Sequence, residues 1–119
     1  MAMGDCAPWD GPATRLLFTE TAWEPDSEPV APMLTIAVYR PAADLAGQRI
    51  SWPADTEVAY ASWCPAADDC RNAEAGTIRF GRRAEDGSLD GFFDLTFAGG
   101  HREAGSFQAR WRNRQVLCG

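Results

Sequence analysis

The chain of 119 residues is 45% hydrophobic and 24% charged, with a net charge of −6, enough material for one domain with a core of its own. All eleven of its basic residues are arginine, which removes Schiff-base and P-loop lysine chemistry, and the acidic balance repels a phosphate backbone, so nucleic acid is not an expected partner. No stretch approaches the ~18–20 consecutive apolar residues of a membrane span, and the opening "MAMGDCAPWDG" lacks the apolar region of a signal peptide, so a soluble chain without a membrane span is expected.

In chain order, alternating apolar residues predict strands at 15–21 ("RLLFTET"), 33–39 ("MLTIAVY"), 57–63 ("EVAYASW"), 77–81 ("TIRFG"), 91–97 ("GFFDLTF") and 105–111 ("GSFQARW"). Between the first two, the acidic, proline-rich 24–32 ("EPDSEPVAP") reads as an exposed loop. After the second, Pro41 and Gly47 bracket a short predicted helix over 41–47. The expected architecture is one all-β domain over residues 1–119, an antiparallel β-sandwich or small closed barrel of six to eight strands with a C-terminal meander.

The last third nearly repeats itself: "GFFDLTF" and "GSFQARW" both read glycine, any residue, apolar, any, apolar. Parity tests whether this is packing. For Phe93, Leu95 and Phe97 to share one face with Phe107, Ala109 and Trp111, the connecting loop must be odd in length. Gly99, Gly100 and His101 supply it, with Ala98 opposite Arg102, Phe93 opposite Phe107, and Leu95 opposite Gly105. The preceding hairpin joins Ile78 and Phe80 to that face through a two-residue Asp86-Gly87 turn, placing Phe80 opposite Phe93 and Ile78 opposite Leu95. Gly76, Gly91 and Gly105 then read as strand-start glycines, with close approach to a ligand as the alternative.

Cysteines occur at Cys6, Cys64, Cys70 and Cys118. Three pairings are available, and the sequence does not choose between them. The short "PAADD" segment lets Cys64 turn back onto Cys70, leaving Cys6 and Cys118 to tie the chain ends. Zinc is the competing use, but the C-x5-C spacing matches no common finger and His101 is the lone nitrogen ligand, so no metal or other cofactor is expected. Disulfides imply an oxidising space, hence an exported protein. Cys6 as a lipid-modified residue is disfavoured by Gly4-Asp5 before it.

The run from "CPAADDC" through "AGTIRF", "GSLDGFFDLTF" and "GGHREAGSFQARW" to the final "CG" resembles small exported bacterial β-domain proteins, many of them lipoproteins of unassigned function. It covers roughly residues 60–119. The likeness implies a periplasmic or envelope β domain and carries no catalytic residue with it.

His101 is the one histidine, so any Ser-His-Asp or Cys-His mechanism must use it. Its place beside a Gly-Gly turn is that of a solvated loop residue. The carboxylate pairs Asp68/Asp69 and Asp86/Asp90 have the residue types of a glycosidase acid and base, but sequence adjacency does not set two carboxyls across a cleft. "ETAWEPDSE" has acids without calcium-loop spacing. Trp63 and Trp111 fall on strand faces and read as core, whereas Trp9, Trp23 and Trp52 stand beside Pro, Asp or Glu and are the candidate binding anchors. Two functions follow. One is a non-catalytic exported domain that binds an envelope protein or glycan, in the manner of an inhibitor or immunity factor. The other is a small hydrolase using His101 or a carboxylate pair.

Overall fold

The computed structural model describes residues 1–8, 11–20, 28–112 and 118. Nine strands run in chain order: β1 (Ala2–Cys6), β2 (Pro12–Thr19), β3 (Met33–Val38), β4 (Arg49–Trp52), β5 (Ala59–Ala66), β6 (Asp69–Arg83), β7 (Leu89–Phe97), β8 (Arg102–Ala109) and β9 (Trp111–Arg112). They form one sheet in the order β8-β7-β6-β5-β3-β2-β1-β9, with β4 paired to β6 beside it. Every pairing is antiparallel except β1 with β9, where Ala2 and Met3 run parallel to Trp111 and Arg112. No helix among the described residues is long and apolar enough to cross a membrane.

The all-β expectation is met, but the sheet is a curled, open half-barrel, neither the closed barrel nor the sandwich expected. Closure fails for a local reason. Only the two residues of β9 reach β1, with Ala2 N–H donating to the Arg110 carbonyl at 2.7 Å, so the two ends of the sheet meet at a corner and no described strand pairs with the outer edge of β8. The Cys6–Cys118 disulfide, with Cα atoms 5.6 Å apart, ties that corner. Nine strands replace six to eight because alternation does not reveal β1 and β4, and because the strand expected over 105–111 is broken at Arg110 into β8 and β9. Neither "AMGDC" nor "RISW" has the length and β-branched content of a free-standing strand; β1 forms between β2 and β9, and β4 against β6.

The curl comes from β6. Its first residues, Asp69–Asn72, pair with β5 and its later ones, Gly76–Arg79, with β4, while β7 follows it from Ala73 to Arg83. Register shifts interrupt the β6–β7 ladder between Ala73 and Ala75 and again between Phe80 and Arg83, and bulges of this kind raise local twist and bend a strand from one sheet plane to the next. Gly76 sits at the first bend with φ +118, and a Cβ there would land on the Asp94 carbonyl oxygen. A side chain is therefore excluded by both backbone conformation and space.

The inner face of the half-barrel holds one core. Ile78, Phe80, Phe93, Leu95, Phe97, Phe107 and Ala109 all belong to it, with Trp111 packed against its margin, so the parity argument for a common face holds. The registers themselves are slipped. Phe93 lies opposite Gly105 and Leu95 opposite Glu103; Phe80 lies opposite Gly91 and Ile78 opposite Phe93. In the β7–β8 hairpin the three loop residues are Ala98, Gly99 and Gly100, closed by Phe97 N–H to the His101 carbonyl at 2.7 Å. A loop displaced by one residue moves every partner by two and leaves the faces unchanged. In the β6–β7 hairpin the connection is Glu85-Asp86-Gly87, closed by Ala84 N–H to the Ser88 carbonyl at 2.9 Å, with Gly87 at φ +89. This is the three-residue turn that ends in a left-handed glycine. The Phe80–Arg83 bulge supplies the extra residue that restores inward parity, and Asp90 Oδ1 accepts the Arg82 N–H at 2.8 Å there.

The helix expected over 41–47 is a single 3-10 turn, Ala42–Asp44. With Pro41 at one end and Gly47 at φ +75 at the other, the segment is too short to pass the nucleation cost of an α-helix. Its product is burial rather than helix length, since Ala42 and Leu45 are in the core.

Candidate functional site

Where the half-barrel stays open, a cleft of about 280 Å³ separates the end of β2 from β8. Its floor is aromatic. The Phe18 ring lies 5.6 Å from Phe93 and 5.5 Å from Phe107, and Phe93 lies 6.1 Å from Phe107. These are tilted and edge-to-face separations, in the range where rings attract beyond simple area burial. β2 presents Phe18 inward because Leu16 and Phe18 share a face, and β7 and β8 present Phe93 and Phe107 by the same period of two.

One residue makes the floor accessible. Gly105 occupies an inward-facing position of β8 between Glu103 and Phe107, and a Cβ built on it meets nothing within 4 Å. Its backbone angle is not in the left-handed region, so the missing side chain leaves open space without a conformational need for glycine. Gly91 on the neighbouring strand is the opposite case: a Cβ would strike the Arg79 carbonyl oxygen and come 3.0 Å from the Phe107 ring. There glycine leaves room for the ring against the strand.

Trp63 and a His101–Glu103 pair form the rim. The His101 ring stacks on Trp63 with centroids 4.7 Å apart and planes 10° from parallel, while its Nε2 lies 2.7 Å from Glu103 Oε1. Outside the cleft, Arg102 grips Asp94 with Nε and Nη2 at 2.8 and 2.6 Å. That bidentate hydrogen bond holds the Asp94 carboxyl below its ordinary range and raises the guanidinium above its own.

The backbone of β8 adds a second kind of surface. The Phe97–His101 bond fixes which residues face β7. Alternation along an antiparallel ladder then turns the N–H and C=O groups of Glu103, Gly105 and Phe107 toward β7, and those of Ala104, Ser106 and Gln108 away from it. Arg110, next in that outward series, uses its carbonyl on Ala2. Among the described residues, no strand covers the outward groups of Ala104, Ser106 and Gln108.

Two larger hollows among the described residues lack this combination. One of about 470 Å³ is walled by polar side chains, including Arg82, Glu85, Ser88 and Asp90. Another of about 340 Å³ lies over the terminal corner, between Asp5, Pro12, Ala42 and Trp111.

The residues singled out in the sequence end up scattered. Trp9 and Trp23 lie outside the described residues, as do 24–27 of the acidic loop. Trp52 is no surface anchor: it faces inward from β4, paired with Gly76, and is only 6% exposed. The proline that follows it suggested a loop end, but Ile50 and Trp52 alternate into the core. Trp63 is half-buried and serves the rim. Asp86 caps its own turn, accepting the Ser88 N–H at 2.9 Å, and this bond lowers its pKa; Asp90 holds the β6 bulge. Asp69 contacts Arg71 at 3.4 Å. The disulfides are Cys6–Cys118 and Cys64–Cys70. Phe18 and Glu103 were not among the candidate residues, and Gly105 was read as a strand-start glycine with close approach to a ligand as the alternative. Phe18 was findable, standing two residues after Leu16 in an alternating run; the glycine spacing picked out Gly105 but not the empty space it leaves.

No family model, no curated protein and no solved structure matches this chain.

Proposed function

We propose that this protein is a non-catalytic exported domain, periplasmic or attached to the cell envelope, that binds a protein or glycan partner in the manner of an inhibitor or immunity factor. The observation that carries the reading is the cleft beside β8, an aromatic floor left uncovered by an inward-facing glycine. Apolar, aromatic-lined concavities with a few placed polar groups are where small domains take ligands. The export component rests on the two disulfides, which persist in oxidising compartments. Binding is favoured over hydrolysis because His101, Asp86 and Asp90 already have structural partners. His101 is stacked and paired, and Asp86 and Asp90 serve a turn and a bulge.

The test is a nuclear magnetic resonance titration of the oxidised protein with neutral β-linked oligosaccharides and with short synthetic peptides, run beside a broad hydrolase screen of wild type and His101→Ala. The reading expects shifts concentrated at Phe18, Trp63 and Gly105, with no turnover by either protein. Turnover that His101→Ala abolishes overturns it in favour of the hydrolase.

A further inference from the structure

The open edge of β8 and the cleft beneath it share one strand, and together they specify a ligand more narrowly than either does alone. Along the edge, the outward N–H and C=O groups of Ala104, Ser106 and Gln108 recur every two residues, about 6.8 Å apart in an extended strand. A polypeptide in extended conformation carries donors and acceptors at that same repeat; a sugar chain does not. On the cleft face, Glu103 and Gly105 are also two residues apart. A strand laid along β8 would set one side chain opposite Glu103 and another over the space at Gly105.

From this juxtaposition we infer that β8 takes an extended peptide of a protein partner as an added strand, with a basic residue opposite Glu103 and an apolar residue two positions away, seated over Gly105 on the Phe18, Phe93 and Phe107 rings. The inference rests on the binding reading above and narrows it to a protein partner. It belongs to the known class of recognition in which main-chain hydrogen bonds give affinity and alternate side chains give specificity.

Charge supports the basic residue. The chain carries a net −6, and Glu103 is a half-buried carboxylate pointing to the cleft side, with His101 on one of its oxygens. The arginine next to it in sequence, Arg102, is on the opposite face and is bound to Asp94. An inward charge on an edge strand is also a device against indiscriminate pairing. A strand without a cation buries that carboxylate against apolar or acidic groups, whereas one with a cation gains an ion pair. A second copy of this chain brings no lysine or arginine on the matching face of its own β8, where His101, Glu103, Gly105, Phe107 and Ala109 stand, so self-pairing lacks the partner charge.

The experiment uses the full oxidised chain and three synthetic peptides. The first is acetyl-Thr-Lys-Thr-Leu-Thr-Ser-amide, the second carries glutamate in place of its lysine, and the third is N-methylated at alternate residues. Neutral β-linked oligosaccharides complete the set. Binding is followed by chemical shift and by amide hydrogen exchange. The lysine peptide is expected to slow exchange at Ala104, Ser106 and Gln108 and leave Glu103, Gly105 and Phe107 nearly unchanged. The glutamate peptide is expected to bind about tenfold more weakly, and the N-methylated one not at all. Glu103→Gln should weaken the lysine peptide about threefold. Gly105→Val, which fills the space with no backbone strain, should abolish the perturbation of Phe18 and Phe107 while leaving the fold, judged by the dispersed spectrum, intact.

Peptide binding that shifts Trp63 and Phe18 without slowing the outward amides overturns strand addition and leaves partner binding standing. Oligosaccharide binding in the cleft with no peptide effect does the same and assigns a glycan. Slowed outward amides in concentrated protein alone, with a doubled rotational correlation time, assign the edge to a second copy and overturn the proposal. No response to any probe at about 1 mM overturns both this inference and the binding reading.

Discussion

Two glycines in the same repeated phrase should respond to the same mutation with opposite signs. At Gly91 an added methyl meets the Arg79 carbonyl oxygen, a backbone atom that cannot swing aside, and the Phe107 ring at 3.0 and 3.1 Å. Overpacking of this kind costs about 1–3 kcal/mol. At Gly105 the methyl meets nothing within 4 Å and the backbone angle suits any residue, so the reduced freedom of the unfolded chain should stabilise the variant by about 0.4–1 kcal/mol. For a domain of this size 1 kcal/mol shifts Tm by roughly 4 °C. Gly91→Ala should therefore melt about 4–12 °C below wild type and Gly105→Ala about 2–4 °C above it. Circular dichroism melts of the oxidised proteins measure both, with urea unfolding as the check on two-state behaviour. Shifts of the same sign, or a destabilised Gly105→Ala, would refute the reasoning that one glycine is packed against and the other opens a cleft.

Removing the terminal staple with Cys6→Ser/Cys118→Ser should cost about 4–5 kcal/mol because it frees a long loop, whereas Cys64→Ser/Cys70→Ser should cost roughly 2 kcal/mol; urea midpoints of the two double variants decide the order. Trp52→Ala should lose about 3–5 kcal/mol as a core truncation and leave ligand shifts in the cleft unchanged, which a stability curve and a titration check together. Asp86 and Asp94 have carboxyls held below their ordinary range by the Ser88 N–H and by Arg102. Their contribution to stability is thus complete above the unfolded carboxylate value near pH 4 and fades as the pH falls through the lower folded values. Melting temperature against pH should fall less steeply below pH 4 for Asp94→Asn than for wild type.

Much of the fold was legible because side-chain alternation is strict. Once Phe93, Leu95 and Phe97 were required to share a face with Phe107 and Ala109, the inner wall followed, and the observed core contains all of them. Parity says nothing, however, about shifts of two. Whether the β7–β8 loop holds Ala98-Gly99-Gly100 or Gly99-Gly100-His101 changes every partner and no face, so the register was out of reach. The Asp86-Gly87 dipeptide carried the correct turn glycine but not the Phe80–Arg83 bulge, which depends on how β6 bends between β5 and β4. Barrel closure was equally hidden, because it turns on pairing between the two ends of the chain, where "AMGDC" shows no strand pattern. The short span between Cys64 and Cys70 did point to the pairing found, with Cys6 and Cys118 left to each other.

The candidate site was less legible than the fold. Tryptophans beside prolines drew the eye to Trp52, whose ring is in the core. The cleft arises where a side chain is missing at Gly105 and where β8 has no described neighbour on its outer edge; the glycine pattern marks the first position without its openness, and no pattern marks the second. Glu103 stands out only after the odd positions of β8 are known to face inward, since that makes it a charge on an otherwise apolar wall.

Hydrogen exchange along β8 in the free, oxidised protein bears most directly on the open edge. The structure predicts alternation: slow amides at Glu103, Gly105 and Phe107, which bond to β7, and fast ones at Ala104, Ser106 and Gln108. Uniformly slow exchange across all six would mean that another strand covers β8 and that the half-barrel is closed.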